Sequence, residues 1–140
     1  AWFTGDVSVQ LRQEIIRAFM TMEKELKVTR PSQISLTSGS SSPSLTFKMP
    51  HDNNNDGTVL DSFGNVEWSD NITYAANGAN AITRTASGIT SVLAHNIVNL
   101  QFSRPLSPVN LLQVDITAQK VSAAGRTVHD TGQITIKMRN

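Results

Sequence analysis

One stretch of the chain combines residue types and spacing that could bind a metal ion. The run from Asp52 to Gly57 reads Asp-Asn-Asn-Asn-Asp-Gly, which matches the opening half of a calcium loop, D-x-[DN]-x-[DN]-G. Oxygen-bearing side chains at alternate positions can converge on one cation, and the glycine permits the sharp turn that the loop needs. The predicted ligands are the side chains of Asp52, Asn54 and Asp56 and the main-chain carbonyl of Thr58.

The second half of this stretch departs from the calcium-loop pattern. Its twelfth position, where a bidentate glutamate is expected, is Phe63. Asp61 or Glu67 could supply the missing carboxylate, and the sequence leaves both open. The alternative interpretation is a polar Asn/Asp/Gly turn that joins two strands without an ion. Calcium is therefore the single cofactor that the sequence suggests, and it remains a hypothesis.

Other chemistry-bearing residues form no recognisable catalytic pattern. His51, His95 and His129 share no metal-ligand spacing, and the serines include no G-x-S-x-G motif. The carboxylates are few and scattered, so no acid and base pair can be proposed. Because the chain has no cysteine, thiolate catalysis and cysteine-based zinc sites are excluded. The sequence predicts a protein that is not an enzyme, with a secreted enzyme built from scattered residues as an alternative.

The length and charge of the chain further limit the class of protein that it can be. The 140 residues fit one domain spanning 1–140. The formal net charge is +1 and only 16% of residues are charged, so the basic patch of a nucleic-acid-binding domain is not indicated. No stretch approaches the roughly 18 consecutive apolar residues of a membrane span.

The elements that would position these residues begin with a helix. Apolar residues recur in steps of three and four between Val7 and Leu26, which places them on one stripe of a helix predicted over about residues 7–29. Pro31 is expected to end it. Ile16 and Met20 lie on the opposite side. The predicted core face of the helix consists of Leu11, Ile15, Phe19, Met22 and Leu26.

The remainder, about residues 33–140, alternates apolar and polar residues as β-strands do. The clearest alternations run over 98–103, 112–119 and 134–139. One apolar and one polar face is typical of an antiparallel sheet covered on one side. The predicted fold class is α+β, with the long N-terminal amphipathic helix packed on antiparallel β-sheet.

Four stretches of the chain carry a resemblance to a known family. They are the helix of 11–26 (LRQEIIRAFMTMEKEL), the hairpin formed by 72–74 (ITY) and 82–84 (ITR), the strand of 94–102 (AHNIVNLQF) and the end of 134–140 (ITIKMRN). Together they resemble the periplasmic part of bacterial type IV pilin-like proteins. More narrowly, the chain is similar to minor pilins and minor pseudopilins of the W and J type.

The resemblance implies a pilin-like fold and a structural role at the cell envelope. It implies a subunit of a type IV pilus or a type II secretion pseudopilus that acts in assembly at the filament tip. The family's leader and apolar membrane helix are not in this sequence, so the resemblance implies a periplasmic domain anchored in the inner membrane by a helix upstream of it. The implied partners are other pilin or pseudopilin subunits, which Ile16 and Met20 would contact, and no nucleic acid is expected.

A calcium-dependent extracellular adhesion or carbohydrate-binding module is the main alternative. It explains the loop that begins at Asp52 and the polar, β-rich composition, but it gives the leading helix no role. Such a module would present exposed aromatic rings to a sugar, and Trp68 and Tyr74 are the central candidates. Their alternating context is more typical of core or hairpin packing.

Overall fold

The computed structural model describes residues 2–139, with side chains described from Val7 onward. The chain begins with a 25-residue helix, α1 (Trp2–Leu26). A short 3-10 turn follows at Pro31–Gln33. The eight strands, in chain order, are β1 (Ser41–Ser42), β2 (Ser44–Phe47), β3 (Ile72–Ala76), β4 (Ile82–Ala86), β5 (Ile89–Ala94), β6 (Ile97–Ser103), β7 (Leu111–Val121) and β8 (Thr127–Lys137).

The strands form two four-stranded antiparallel sheets, and this corrects the predicted fold class. One sheet has the order β1-β6-β7-β8 and the other β2-β3-β4-β5. The predicted pilin-like α+β class, with a long helix packed on sheet, is wrong, because the structure is mostly β with one N-terminal helix. The prediction described the strands as antiparallel sheet covered by the helix. The structure divides them into two sheets, and buried residues of both sheets and of the helix contribute to one core.

Aromatic rings join the two sheets at the centre of this core. Phe47 on β2 and Tyr74 on β3 have ring centroids 4.9 Å apart. Tyr74 also stacks on Phe102 of β6, in the other sheet, at 6.4 Å and an interplanar angle of 15°. All three side chains are almost fully buried, and offset aromatic pairs at such distances add to the stability that burial provides.

The helix differs from its predicted bounds of 7–29 at both ends. It begins at Trp2 and ends at Leu26. Beyond Leu26 the chain turns, with the Thr29 N–H donating to the Leu26 carbonyl at 3.1 Å. The Thr29 hydroxyl donates to the Lys48 carbonyl at 3.0 Å, which fixes the turn on the body of the protein. No helix among residues 2–139 has both the length and the apolar character of a membrane span.

Two contacts align α1 with β8, and a third joins the residues that follow each element. Arg12 binds Asp130 through two nitrogens, at 2.6 and 3.0 Å. Because Gly132 has no side chain, the side chains of Ile15 and Phe19 can pack close to its backbone. A Cβ added to Gly132 would lie only 2.8 Å from Ile15 and 2.9 Å from Phe19. Near the end of the chain, the backbone N–H of Arg139 donates to the Thr29 carbonyl at 2.9 Å. The helix and β8 therefore run in the same direction.

Strand β5 was not predicted. A tight turn after β4 places it next to β4 in the sheet. Ser87 and Gly88 both have positive φ, at 52° and 78°, and Ala86 pairs directly with Ile89 across them. Two central residues with positive φ form the tight hairpin turn that matches the twist of antiparallel strands. The residues of β5 from Ile89 to Val92 are exposed, so the alternation that marks a half-covered strand is missing.

Candidate functional site

The loop of residues 51–70 is folded back on itself by a few backbone hydrogen bonds. The His51 N–H donates to the Glu67 carbonyl at 2.9 Å, and the Glu67 N–H donates to the Val59 carbonyl at 2.6 Å. Isolated bridges pair Pro50 with Trp68 and Leu60 with Val66. The pairings of Pro50 with Trp68 and of His51 with Glu67 bring the two ends of the loop together, which local sequence spacing does not specify.

Three carboxylates converge inside this loop. One oxygen each from Asp52, Asp56 and Glu67 lie within 4.8 Å of one another. The two oxygens of Asp52 also accept the N–H groups of Asp56, at 3.2 Å, and of Gly57, at 2.8 Å. Such a set of oxygens suits a hard divalent cation such as calcium. Glu67 is therefore the carboxylate that joins Asp52 and Asp56.

The charges in the cluster shift the pKa of two of its members in opposite directions. Desolvation, followed by the negative charges of Asp56 and Asp52, raises the pKa of Glu67. Its Oε2 is buried and has no hydrogen-bond partner among the described residues. Desolvation opposes the ionisation of Asp52, but the backbone N–H groups of Gly57 and Asp56 outweigh it and lower the pKa of Asp52. A cation between the carboxylates would remove the repulsion that Glu67 experiences.

The other residues considered as cation ligands, Asn54, Thr58 and Asp61, make hydrogen bonds within local turns. The side-chain oxygen of Asn54 accepts the Asp56 N–H at 3.2 Å, and the Thr58 hydroxyl accepts the Leu60 N–H at 3.2 Å. Asp61 instead holds the next turn, since its Oδ1 accepts the N–H groups of Phe63, at 2.8 Å, and Asn65, at 2.9 Å. It is therefore absent from the carboxylate cluster.

The helix presents two apolar faces. Val9, Ile16 and Met20 are 55%, 46% and 67% exposed, and Val9 was not singled out in the sequence. Spacings of seven and four residues place the three on one line of a helix. The five residues predicted for the core face are all buried, namely Leu11, Ile15, Phe19, Met22 and Leu26.

A polar cluster that the sequence did not reveal joins α1 to the β2-β3-β4-β5 sheet. The carboxylate of Glu25 binds Arg84 through Nη2, at 2.6 Å, and Nε, at 2.9 Å. The Tyr74 hydroxyl donates to the same carboxylate. Burial and this hydrogen bond raise the pKa of Tyr74, so its phenol stays protonated. Glu25 is 49 positions from Tyr74 and 59 from Arg84 along the chain, so no local pattern connects it to the two strand residues.

The two aromatic residues considered for sugar binding do not form an open platform. Tyr74 is fully buried. Trp68 is partly buried, and the guanidinium of Arg30 lies 5.9 Å from its ring centroid. A cation over the ring is a stabilising arrangement within the protein, and it occupies a face that a sugar would need.

The three histidines lie apart on exposed parts of the molecule. The Nδ1 of His51 is 2.8 Å from the Asn53 side-chain oxygen. His129, on β8, places Nε2 at 2.7 Å from the Gln119 side-chain oxygen. His95 lies in the turn between β5 and β6, where its backbone N–H donates to Glu14. The structure does not bring them to one site.

Two surfaces of the described residues could take part in binding. The outer side of α1 could contact another protein, and the 51–70 loop could bind a cation. Comparison with protein-family models, curated proteins and solved structures finds no match for this chain. Function is therefore inferred from the residues themselves.

Proposed function

We propose that this chain is the periplasmic part of a minor pilin or minor pseudopilin. In this proposal it is a structural subunit that assembles with other pilin-like subunits at the tip of a type IV pilus or a type II secretion pseudopilus. Its anchor is a helix in the bacterial inner membrane, upstream of Ala1. The structural observation that carries the proposal is the second apolar stripe of α1.

The stripe formed by Val9, Ile16 and Met20 is suited to helix contact between subunits. Single exposed apolar residues are normal on protein surfaces, but these three are aligned along one helix. The opposite face of α1 is already buried in the core, so this second face is not needed to fold the domain. Each of these side chains would contribute about 1.5–3 kcal/mol if fully buried against a neighbour. A subunit held by its helix would use this stripe.

The test places charges on the stripe of the full-length protein in its source organism. We expect Ile16→Glu combined with Met20→Glu to abolish incorporation into the filament, because unpaired carboxylates would be buried at the subunit contact. Filament content is measured by immunoblot of sheared fibres or, for a pseudopilus, by secretion of its cargo. The purified variant should keep its stability within about 0.5 kcal/mol, since the sites are on the surface.

Ile89→Glu is the matched control, because Ile89 is 72% exposed but lies on β5. Normal assembly of the Ile16 and Met20 double variant would contradict the proposed contact. The class itself is tested by sequencing the native protein from membranes. An N-methylated first residue and an apolar segment that continues into α1 would support it, whereas a native chain beginning near Ala1 would overturn it.

We also propose, as a second candidate function, that the 51–70 loop binds calcium, as an extracellular calcium-dependent module would. The convergence of Asp52, Asp56 and Glu67 favours this candidate. The surroundings of Trp68 and Tyr74 give no support to its carbohydrate-binding version. Calcium binding is also compatible with the filament subunit, since it concerns a different part of the molecule.

Thermal unfolding in millimolar calcium and in EDTA tests the second candidate. We expect calcium to raise the Tm, by an amount that grows with its concentration, because a ligand that binds the folded state stabilises it. Glu67→Gln should remove most of this increase, and Asp70→Asn should not, since Asp70 lies in the same loop outside the cluster. Identical melting curves in both buffers would exclude the site.

A further inference from the structure

The charges of this chain are separated along its sequence. Between residues 49 and 83 there is no lysine or arginine, while Asp52, Asp56, Asp61, Glu67 and Asp70 give that segment a formal charge of −5. The net charge of the whole chain is +1, so the remainder is basic. We call residues 49–83 the acidic segment.

The acidic segment presents a large apolar side chain to solvent. Phe63 is 88% exposed, more than any other large apolar residue in the described part of the chain. The turn beneath it is held firmly. The Asp61 N–H donates to the Asn65 carbonyl at 2.7 Å, the Gly64 N–H donates back to the Asp61 carbonyl at 3.1 Å, and Gly64 has a φ of +83°. Phe63 is thus a preorganised aromatic tip.

A groove with complementary properties lies at the end of α1. Its volume is about 610 Å³, and its lining residues are Thr21, Lys24, Glu25, Lys27, Val28 and Met49. A cavity of about 150 Å³ is enough for a benzene ring, so the groove can accept a phenyl group. The charge of Glu25 is neutralised by Arg84. Lys24 and Lys27 form no salt bridge with a carboxylate of residues 7–139. We call this the basic groove.

The tip and the groove lie near each other in the fold, so two molecules can each place the tip in the groove of the other. Val28 lines the basic groove and also the adjoining surface formed by Thr58, Val59 and Leu60. Leu60 pairs with Val66 at the base of the turn that carries Phe63. When donor and acceptor surfaces are neighbours on one molecule, a two-fold axis can satisfy both at once. The high exposure of Phe63 means that it does not fill the groove of its own molecule.

We propose that two copies of this chain associate by docking the Phe63 tip of each into the basic groove of the other. The phenyl ring covers Val28 and Met49, and the acidic segment approaches Lys24 and Lys27. Apolar contact provides the affinity and opposite charge provides the orientation. The association needs neither a membrane anchor nor a filament, so its outcome is separate from that of the pilus proposal.

Sedimentation equilibrium of the purified chain tests the association. The buffer contains EDTA, so that the acidic segment keeps its full charge. We expect a reversible monomer and dimer equilibrium at about 0.05 M salt that weakens at about 0.5 M, because salt screens the charges. Phe63→Ser should weaken the dimer at least tenfold, since the ring supplies most of the apolar contact. Ile89→Ser, which removes an exposed apolar residue from β5, should leave it unchanged.

Charge variants and a mixing experiment identify the groove as the acceptor. Lys24→Gln with Lys27→Gln should weaken the dimer, and the corresponding double substitution to Glu should weaken it further. An equimolar mixture of Phe63→Ser and the double Glu variant should associate more strongly than either alone, because one molecule keeps its groove and the other its tip. Circular dichroism confirms that each variant is folded.

Three results would overturn the proposal. The first is a wild-type chain that stays monomeric up to millimolar concentration at low salt. The second is a dimer that Phe63→Ser does not weaken. The third is a mixture of the two variants that associates no better than its components, because the tip would then dock elsewhere.

Discussion

The strands β6, β7 and β8 and the loop of residues 51–70 keep their shapes by different interactions. Buried and half-buried positions alternate through most of β7, and β7 pairs with β8 over 11 residues. In the loop, by contrast, the carboxylates of Asp52, Asp56 and Asp61 accept backbone N–H groups. The sheet depends on apolar burial, whereas the loop depends on charged acceptors whose strength changes with pH and with bound ions.

The largest expected difference in stability is between substitutions of two phenylalanines, one in the packed sheets and one in the loop. Phe102 is fully buried and stacks on Tyr74, so Phe102→Ala should lower the free energy of unfolding by about 3–5 kcal/mol. Phe63→Ala should change it by no more than about 0.5 kcal/mol, because the ring is already in water. Urea unfolding of both variants measures the difference. Similar losses would show that the loop contributes to the core.

The Glu25 cluster is a polar part of the packed region. Glu25→Ala leaves Arg84 and the Tyr74 hydroxyl without their acceptor, and we expect a loss of about 3 kcal/mol. Tyr74→Phe removes one hydrogen bond and should cost about 1 kcal/mol. Urea unfolding midpoints check both values. If Glu25→Ala costs no more than a surface substitution, the cluster does not hold α1 to the sheet.

The smallest effect is expected in the loop, and its sign depends on calcium. Because the pKa of Glu67 is raised in the folded state, its protonated form stabilises the fold. This stabilisation is present below the pKa that Glu67 has when unfolded, and it is lost as pH rises through the folded value. In EDTA at pH 7, Glu67→Gln should therefore melt slightly higher than the wild type. With calcium the order should reverse.

Melting curves of both proteins between pH 4 and 7 provide the measurement. The advantage of Glu67→Gln in EDTA should shrink as pH falls, because Glu67 in the wild type then becomes protonated as well. A variant that melts lower than the wild type in EDTA at pH 7 would show that the Glu67 carboxylate is satisfied without an ion.

The same contrast explains what the sequence could predict. In the packed region, burial follows a local period, so the alternation over 112–118 coincides with the buried positions of β7. The fold class was wrong because it depends on which strands pair, and β1 pairs with β6, with Ser41 opposite Ser103. Strand β5 has no buried alternation to reveal it. The local period of the sequence therefore predicts which residues are buried better than it predicts which strands pair.

In the loop, the sequence pattern supplied Asp52 and Asp56 but not the third carboxylate. The choice between Asp61 and Glu67 depends on how the loop folds back, with backbone hydrogen bonds from His51 to Glu67 and from Glu67 to Val59. The cluster of Glu25, Tyr74 and Arg84 was missed for the same reason, since its members come from α1, β3 and β4. Sites assembled by long-range contacts leave no spacing to recognise.

The contacts between α1 and β8 have a mechanical consequence. Arg12 binds Asp130 along the pair, Thr29 and Arg139 join the chain just beyond the ends of both elements, and the two elements run in the same direction. A force that pulls α1 along its axis would shear these contacts together with the packing around Gly132, so that they share the load. A force directed away from the sheet would break them one after another. The domain should therefore resist tension along the helix better than peeling.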